Sequence, residues 1–260
     1  MPKIDLVADL GESFGTWTMG ADEAILDLLT SANIACGFHA GDPRTMDATV
    51  ARCVERGVAI GAHPSFPDLA GFGRRAMDLT ADEVRTDTIY QLGALAAFAA
   101  AHGTTVSHLA PHGRLGNLVA TRPDYAQAVV DAVTAVDPTL VVLAQDGCLA
   151  DAARARGVAV GIVGIADRAY QADGTLVPRS LPDAVIHDAA TIAARTVQIV
   201  TEGYLEAADG TRVDVRADTI LLHGDNPTAV ENARAVRDAL LAAGAQLAPL
   251  AEVLAERVGV

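Results

Sequence analysis

The sequence predicts an α/β fold, a seven-stranded (β/α) barrel of TIM type, and three observations predict it. Short apolar, β-branched runs alternate with longer segments of helical periodicity along the whole chain. These runs are too apolar to leave either face in water, which is the pattern of a parallel sheet covered by helices. Histidines stand where such runs meet Gly, Pro or Asp: Phe38-His39-Ala40-Gly41-Asp42-Pro43, Ala62-His63-Pro64, Pro111-His112-Gly113 and Leu222-His223-Gly224-Asp225-Asn226-Pro227. An open doubly wound sheet gathers its functional groups at one switch point, whereas a barrel collects them around a ring of strand ends, so the barrel is the better account.

Strands are expected at residues 4–8, 33–36, 58–62, 106–110, 140–144, 158–163 and 219–223, and helices at 22–31, 43–56, 81–102, 125–136, 146–156, 189–203 and 228–243. Several helix starts carry their own signals. Asp42 precedes Pro43, Asn226 precedes Pro227, and Thr80 with Glu83 three residues later forms a capping box. The apolar stretch 247–250 leads into a last helix and offers a short eighth strand. Two long polar excursions, 65–78 and 167–188, follow strands, and ordered loops of that length are usually functional. A third, 204–218, reads as a hairpin about Asp209-Gly210, a dipeptide suited to a type I′ turn. Residues 1–260 are read as one barrel domain.

Composition removes several functions. A formal net charge of −14 argues against nucleic acid and against attachment to an anionic membrane surface. Lys3 is the only lysine, so neither a P-loop lysine nor a lysine Schiff base is available beyond the first strand. Cys36, Cys53 and Cys148 are odd in number and widely spaced, which points to free thiols and a reducing cytoplasm. The chain runs from Met1 into a strand without a basic leader, and its most apolar stretch is too short to span a bilayer. A homo-oligomer remains open.

At strand ends, residue types suggest chemistry. Asp42 and Asn226 are accounted for as helix caps. His39 and His223 are not, and with His63 and His112 they place imidazoles around one mouth. Asp9 and Glu12 follow the first strand; carboxylates near imidazoles bind a metal or act as acid and base. Arg74, Arg168 and Arg179 lie in polar loops, where a planar guanidinium suits a carboxylate or phosphate.

The segments Asp5-Leu6-Val7-Ala8-Asp9-Leu10-Gly11-Glu12, Ser31-Ala32-Asn33-Ile34-Ala35-Cys36-Gly37-Phe38-His39-Ala40-Gly41-Asp42, Gly61-Ala62-His63-Pro64-Ser65-Phe66-Pro67-Asp68, Gly71-Phe72-Gly73-Arg74, Pro111-His112-Gly113, the run from Ala166-Asp167-Arg168 to Arg179, and His223-Gly224-Asp225 resemble the LamB/YcsF family. That family contains the A subunit of bacterial ATP-dependent 5-oxoprolinase. The resemblance covers essentially the whole chain. It implies a barrel of the glycoside hydrolase/deacetylase type that opens 5-oxo-L-proline to L-glutamate at the expense of ATP, together with separate B and C subunits. Carried onto this sequence, it implies catalytic roles for Asp9, His39, His63, His112 and Asp225. It further implies substrate contacts from Glu12, Asn33, Arg74, Asn117, Asp167, Arg168, Tyr170, Arg179 and His223.

Four positions depart from the family pattern: Val7 replaces Asn, Ala110 replaces Lys, Gly116 replaces Tyr and Val163 replaces Glu, with Ile165 in place of Phe nearby. Losing both Lys and Glu is compensatory if they form a buried pair, and Arg114 offers a positive charge from a neighbouring turn. Two other readings stay open. One is a metal-dependent hydrolase or deacetylase holding a divalent cation with Asp9, His39 and His63. The other is a barrel that serves its complex without catalysing.

Overall fold

The computed structural model describes residues 2–223 and 228–258. Its first half runs β1 (Lys3–Leu10), α1 (Asp22–Leu26), β2 (Ser31–Ala35), α2 (Pro43–Arg56), β3 (Ala59–His63), α3 (Ala81–Ala101), β4 (Val106–Leu109), α4 (Gly113–Val119) and α5 (Pro123–Val136). The second half runs β5 (Val141–Ala144), α6 (Cys148–Arg156), β6 (Val160–Ile165), α7 (Ala189–Glu202), β7 (Tyr204–Glu206), β8 (Arg212–Asp214), β9 (Thr219–Leu222), α8 (Ala229–Ala242), β10 (Gln246–Leu247) and α9 (Leu250–Val258).

Strands β1 to β6 pair in sequence, β6 pairs with β9, and β9 closes on β1, all in parallel. The seven-stranded barrel expected from the sequence is therefore closed. Strand β1 is buried on both faces from Ile4 to Leu10, as a barrel strand wrapped by helices must be. The eighth strand exists but stays outside the ring. β10 pairs with Lys3 and Ile4, below the point at which β9 takes over along Asp5 to Ala8.

Side-chain caps explain where the helices begin. Asp42 accepts the Arg44 amide at 3.0 Å, and Thr80 and Glu83 form the reciprocal capping box of α3. The expected helix at 22–31 stops at Leu26. Asp22 accepts the Gly11 amide, and Thr30 is drawn into the sheet, where its hydroxyl accepts the Leu6 amide at 2.8 Å. Strand β2 consequently begins earlier than its apolar run suggests. Helix α4 was not expected, because seven residues containing Gly113 and Gly116 carry little helical propensity. The hairpin β7–β8 forms, but not through a type I′ turn. Only Gly210 takes positive φ, the Gly210 amide donates to the Ala207 carbonyl, and the Thr211 amide donates to Asp209. This is a type I turn followed by a left-handed glycine.

The two ends of the barrel have different chemistry. At the floor, Asp5 is fully buried and accepts hydroxyl hydrogen bonds from Thr30 at 2.6 Å, Ser31 at 2.7 Å and Thr219 at 2.6 Å, tying β1 to both neighbours. At the other end, Asp9, His63, His112, Asp167 and His223 sit on or just past the C-terminal ends of β1, β3, β4, β6 and β9. Between these levels Gly61 of β3 faces His108 of β4. A Cβ at Gly61 would fall 2.0 Å from His108 Nε2, so the imidazole lies in space that only glycine leaves free.

Replacing Gly61 with Ala is expected to destabilise the fold by at least about 2 kcal/mol through overpacking. The double variant with His108→Ala should cost less than the sum of the single changes. A denaturant double-mutant cycle showing simple additivity would remove this account. Burial pushes the Asp5 carboxyl up to about 6, against the pull of the Thr219, Thr30 and Ser31 hydroxyls. The folded value lies above the unfolded value of 3.8, so this stabilisation is complete below that pH and is lost as the pH rises through about 6. In Asp5→Asn the loss of stability between about pH 4 and pH 8 should shrink by on the order of 2 kcal/mol. An unaltered pH slope of unfolding would show that Asp5 is ionised throughout.

Candidate active site

The barrel mouth holds a cavity of about 860 Å³. Its polar side is built from Asp9, Asn33, His63, Arg74, His112, Asn117, Arg168, Arg179 and His223. Its apolar side includes Ala110, Leu143, Val163, Ile165 and Leu221. Three of the four departures from the family pattern, Ala110, Gly116 and Val163, line this one cavity, as does Arg114. Val7 does not; it is fully buried within β1, in register with Ser31 and Leu221.

A buried cluster of imidazoles and carboxylates forms the cavity's deep end. His63 Nδ1 lies 2.6 Å from the Ala110 carbonyl and His112 Nε2 lies 2.9 Å from the Phe72 carbonyl. A carbonyl only accepts, so each of those nitrogens carries a proton and the ring is fixed in one tautomer. The remaining nitrogens, His63 Nε2 and His112 Nδ1, face each other at 2.9 Å. Asp9 Oδ1 stands 3.3 Å from His63 Nε2, and Glu12 Oε1 stands 3.6 Å from His112 Nδ1. His39 stacks on His112 with ring centroids 3.8 Å apart and sets its Nε2 3.1 Å from Glu12 Oε1. His39 Nδ1 is buried with no hydrogen-bond partner among the described residues. Burial, reinforced by the charges of neighbouring histidines, holds His39 and His112 well below the usual imidazole range. Burial pushes Asp9 upward, but His63, His223 and His112 outweigh it and keep Asp9 below the usual carboxylate range.

The loop carrying Phe72 is pressed onto this cluster. Phe72 adopts φ 53°, a left-handed conformation that is strained for a side chain of its size, and so turns its carbonyl toward His112. Gly73 follows at φ 65°; a Cβ there would fall 2.2 Å from Ser65 Oγ and 2.8 Å from His112 Cδ2. Asp68 ties the loop together by accepting the Gly71 and Arg75 amides and the Arg75 guanidinium.

Sequence reasoning missed His108. It is fully buried, and burial pushes it down to about 3, so it is neutral. Asn33 Nδ2 donates to Asp9 at 2.9 Å, which turns Asn33 Oδ1 toward His108 Nε2, also at 2.9 Å. That orientation places the His108 proton on Nε2, while Nδ1 lies 2.9 Å from Ser107 Oγ, whose hydroxyl also donates to the Ile60 carbonyl at 2.9 Å. The chain Ser107, His108, Asn33 thus holds Asp9 from inside the barrel. The available sequence signal was the pairing of a strand-interior histidine with a glycine on the neighbouring strand.

Asp167 and His223 make a second unit across β6 and β9, with Nδ1 2.8 Å from Asp167 Oδ1 and the His223 amide 3.2 Å from Oδ2. Burial pushes the His223 imidazole down, but the Asp167 charge and hydrogen bond, helped by Asp9, lift it above its ordinary value. The other expected residues are placed differently. Arg168 donates to the Ala184 and Val177 carbonyls, at 3.0 and 2.6 Å, and so pins the loop 167–188 although it borders the cavity. Tyr170 is buried away from the cavity, and its hydroxyl accepts the Ile165 amide at 2.9 Å. Asp225, and the cap expected of Asn226, lie outside the described residues.

The candidate metal ligands also regroup. His39 reaches Glu12 rather than Asp9, and the ligand atoms of Glu12, His39, His63 and His112 all lie within 4.8 Å of one another. The mouth therefore offers a constellation able to hold a metal ion.

The fold is a closed seven-stranded parallel barrel whose mouth carries a buried carboxylate–imidazole centre. A family 4 carbohydrate esterase from Streptomyces lividans, solved with acetate, shares this fold at a TM-score of 0.50 and 13% identity, covering 95% of this chain and 91% of its own. A lactam utilization protein from Thermus thermophilus is far nearer, at a TM-score of 0.90 and 44% identity over 95% of this chain and 99% of its own. A 5-oxoprolinase A subunit of Agrobacterium fabrum is 51% identical over 238 residues, 91% of this chain and 93% of that protein. The LamB/YcsF family profile matches residues 4–255, and the chain belongs to that family.

Asp167→Asn should lower the His223 imidazole pKa, because the adjacent carboxylate is what holds it above its ordinary value. NMR titration of the His223 ring protons reads this directly, and an unchanged midpoint would show that the two side chains do not act as a unit.

Proposed function

We propose that this barrel is the A component of an ATP-dependent 5-oxoprolinase, a cytoplasmic cyclic amide hydrolase that works with separate B and C subunits. The carrying observation is the buried group of His63, His112, Asp9 and Glu12 opening into a cavity bordered by Arg74 and Arg179. The identity to a protein named as the A component of 5-oxoprolinase supports the choice of substrate. Among the described residues no helix is long and apolar enough to cross a membrane.

A five-membered lactam resists water because amide resonance stabilises its carbonyl. In the proposed reaction the γ-phosphoryl group of ATP passes to the carbonyl oxygen, and water then adds to the activated carbon. The carbon–nitrogen bond breaks as the nitrogen gains a proton, which leaves an acyl phosphate, and a second water cleaves that to the carboxylate and free phosphate. The attacking water loses its proton at the centre formed by Asp9, Glu12, His63 and His112. His223, kept protonated by Asp167, supplies the proton to the departing nitrogen. Arg74 and Arg179 hold the substrate carboxylate and the transferring phosphoryl group by charge-assisted hydrogen bonds, and Asn117 orients the ring. The chain has no Walker sequence, and its single lysine pairs with Glu256 at 2.9 Å in the opposite half of β1.

The test is glutamate release from 5-oxo-L-proline by this chain mixed with its B and C subunits, with and without ATP. Release that requires ATP, and that falls at least about 10²-fold in kcat/KM for His63→Gln and His112→Gln, is expected. Absence of release from a verified complex, or full activity in both variants, would remove the proposal.

A further inference from the structure

The facing nitrogens of His63 and His112 need something between them. Each ring has its other nitrogen committed as a donor to a backbone carbonyl, so in the neutral form each imidazole presents a lone pair to its neighbour across 2.9 Å. Asp9 Oδ1 lies 3.3 Å from His63 Nε2 and Glu12 Oε1 3.6 Å from His112 Nδ1, so each imidazole also has a carboxylate oxygen beside it. All four side chains are buried, so this repulsion is screened less than it would be at the surface. Asn33 relieves one lone pair of Asp9 and His39 one of Glu12, and neither reaches the gap between the two imidazoles.

We propose that His63 Nε2, His112 Nδ1 and the carboxylates of Asp9 and Glu12 bind one divalent first-row metal ion of the zinc class. Three observations carry this. Ligands about 2.0 to 2.1 Å from such an ion stand about 2.9 Å apart at octahedral edges and about 3.3 Å apart at tetrahedral ones. The spacings of 2.9, 3.3 and 3.6 Å fit those edges after small adjustments. Mixed imidazole and carboxylate donors suit this class of ion.

The outer contacts are also those that metal ligands need. Both histidines donate their second nitrogen to a carbonyl, Asn33 orients Asp9, and His39 orients Glu12 while stacking on His112. The set differs from the Glu12, His39, His63 and His112 group in one respect. His39 Nε2 stands at donor distance from Glu12, so His39 positions a ligand and Asp9 completes the sphere. The alternative filling is a single proton shared between the two imidazoles.

The experiment uses the full chain, stripped with a chelator, desalted, and titrated separately with Zn²⁺ and Co²⁺. Expected are one ion per chain retained through gel filtration, a raised melting temperature, and visible Co²⁺ bands of an ion bound by nitrogen and oxygen. His63→Gln and His112→Gln should each weaken binding by about 10²-fold or more, and His39→Gln by about tenfold with the stoichiometry kept. Asp167→Asn should bind as the wild type does. Circular dichroism establishes that each variant is folded, and the wild-type stoichiometry stands even if a variant is not. Substoichiometric retention by folded wild-type protein would overturn the proposal. So would binding indifferent to both histidine substitutions, or an imidazole proton between His63 and His112 that persists by NMR in saturating Zn²⁺. Metal content is read independently of glutamate release, so this inference and the proposed reaction can fail separately.

Discussion

The hydrogen bond from His63 Nδ1 to the Ala110 carbonyl, 2.6 Å long, is the interaction on which the arrangement of the mouth depends. It joins β3 to the residue just beyond β4 and fixes the His63 tautomer. That tautomer decides that an acceptor faces His112. The Phe72 carbonyl imposes the same choice on His112, through a loop held in a strained left-handed conformation. Because the two acceptors are main-chain atoms, the identity of the side chain at Ala110 leaves this polarity untouched. The chemistry of the centre is therefore set by backbone geometry, and the walls of the cavity can vary around it.

Support for the centre runs through the barrel interior. Asp9 is held by Asn33, Asn33 by His108, and His108 by Ser107, and the chain requires glycine at position 61 for His108 to occupy its place. The Asn33 amide sets the direction of the next link, because its donor end is spent on Asp9 and its oxygen faces His108 Nε2. Asp167 and His223 form a separate unit on β6 and β9 with the opposite electrostatic sense. Burial holds His39 and His112 low, whereas the Asp167 carboxylate lifts His223. One mouth thus contains groups suited to accept a proton and a group suited to give one.

The ring of strand ends was legible in the sequence because apolar runs and the polar residues that end them are local patterns. Caps such as Asp42 and Thr80 were legible for the same reason. His108 was not, since a histidine inside a strand reads as a solvated or buried position until its neighbour on the next strand is known. Arg168 and Tyr170 stand in a polar motif, yet their partners are main-chain groups of the Ala184, Val177 and Ile165 peptides, which no side-chain pattern announces. The short helix at Gly113–Val119 was hidden by its glycines. At Gly116 the glycine has a packing reason, because a Cβ would fall 2.5 Å from the Pro111 carbonyl.

The departures at Ala110, Gly116 and Val163 gain meaning from sharing one cavity. Surface drift would scatter them; here they border the same space while the buried histidines and carboxylates remain together. Arg114 borders the same cavity and carries positive charge where Ala110 carries none. Val7 lies outside this pattern, within the packed interior of β1, where an apolar side chain between β2 and β9 is a core substitution and not a change of lining. The groups that handle protons and the surfaces that select the substrate are therefore separable in this barrel. The former are locked by backbone hydrogen bonds, and the latter include side chains such as Ala110 and Val163 that can change, whereas Gly116 is held by its approach to the Pro111 carbonyl.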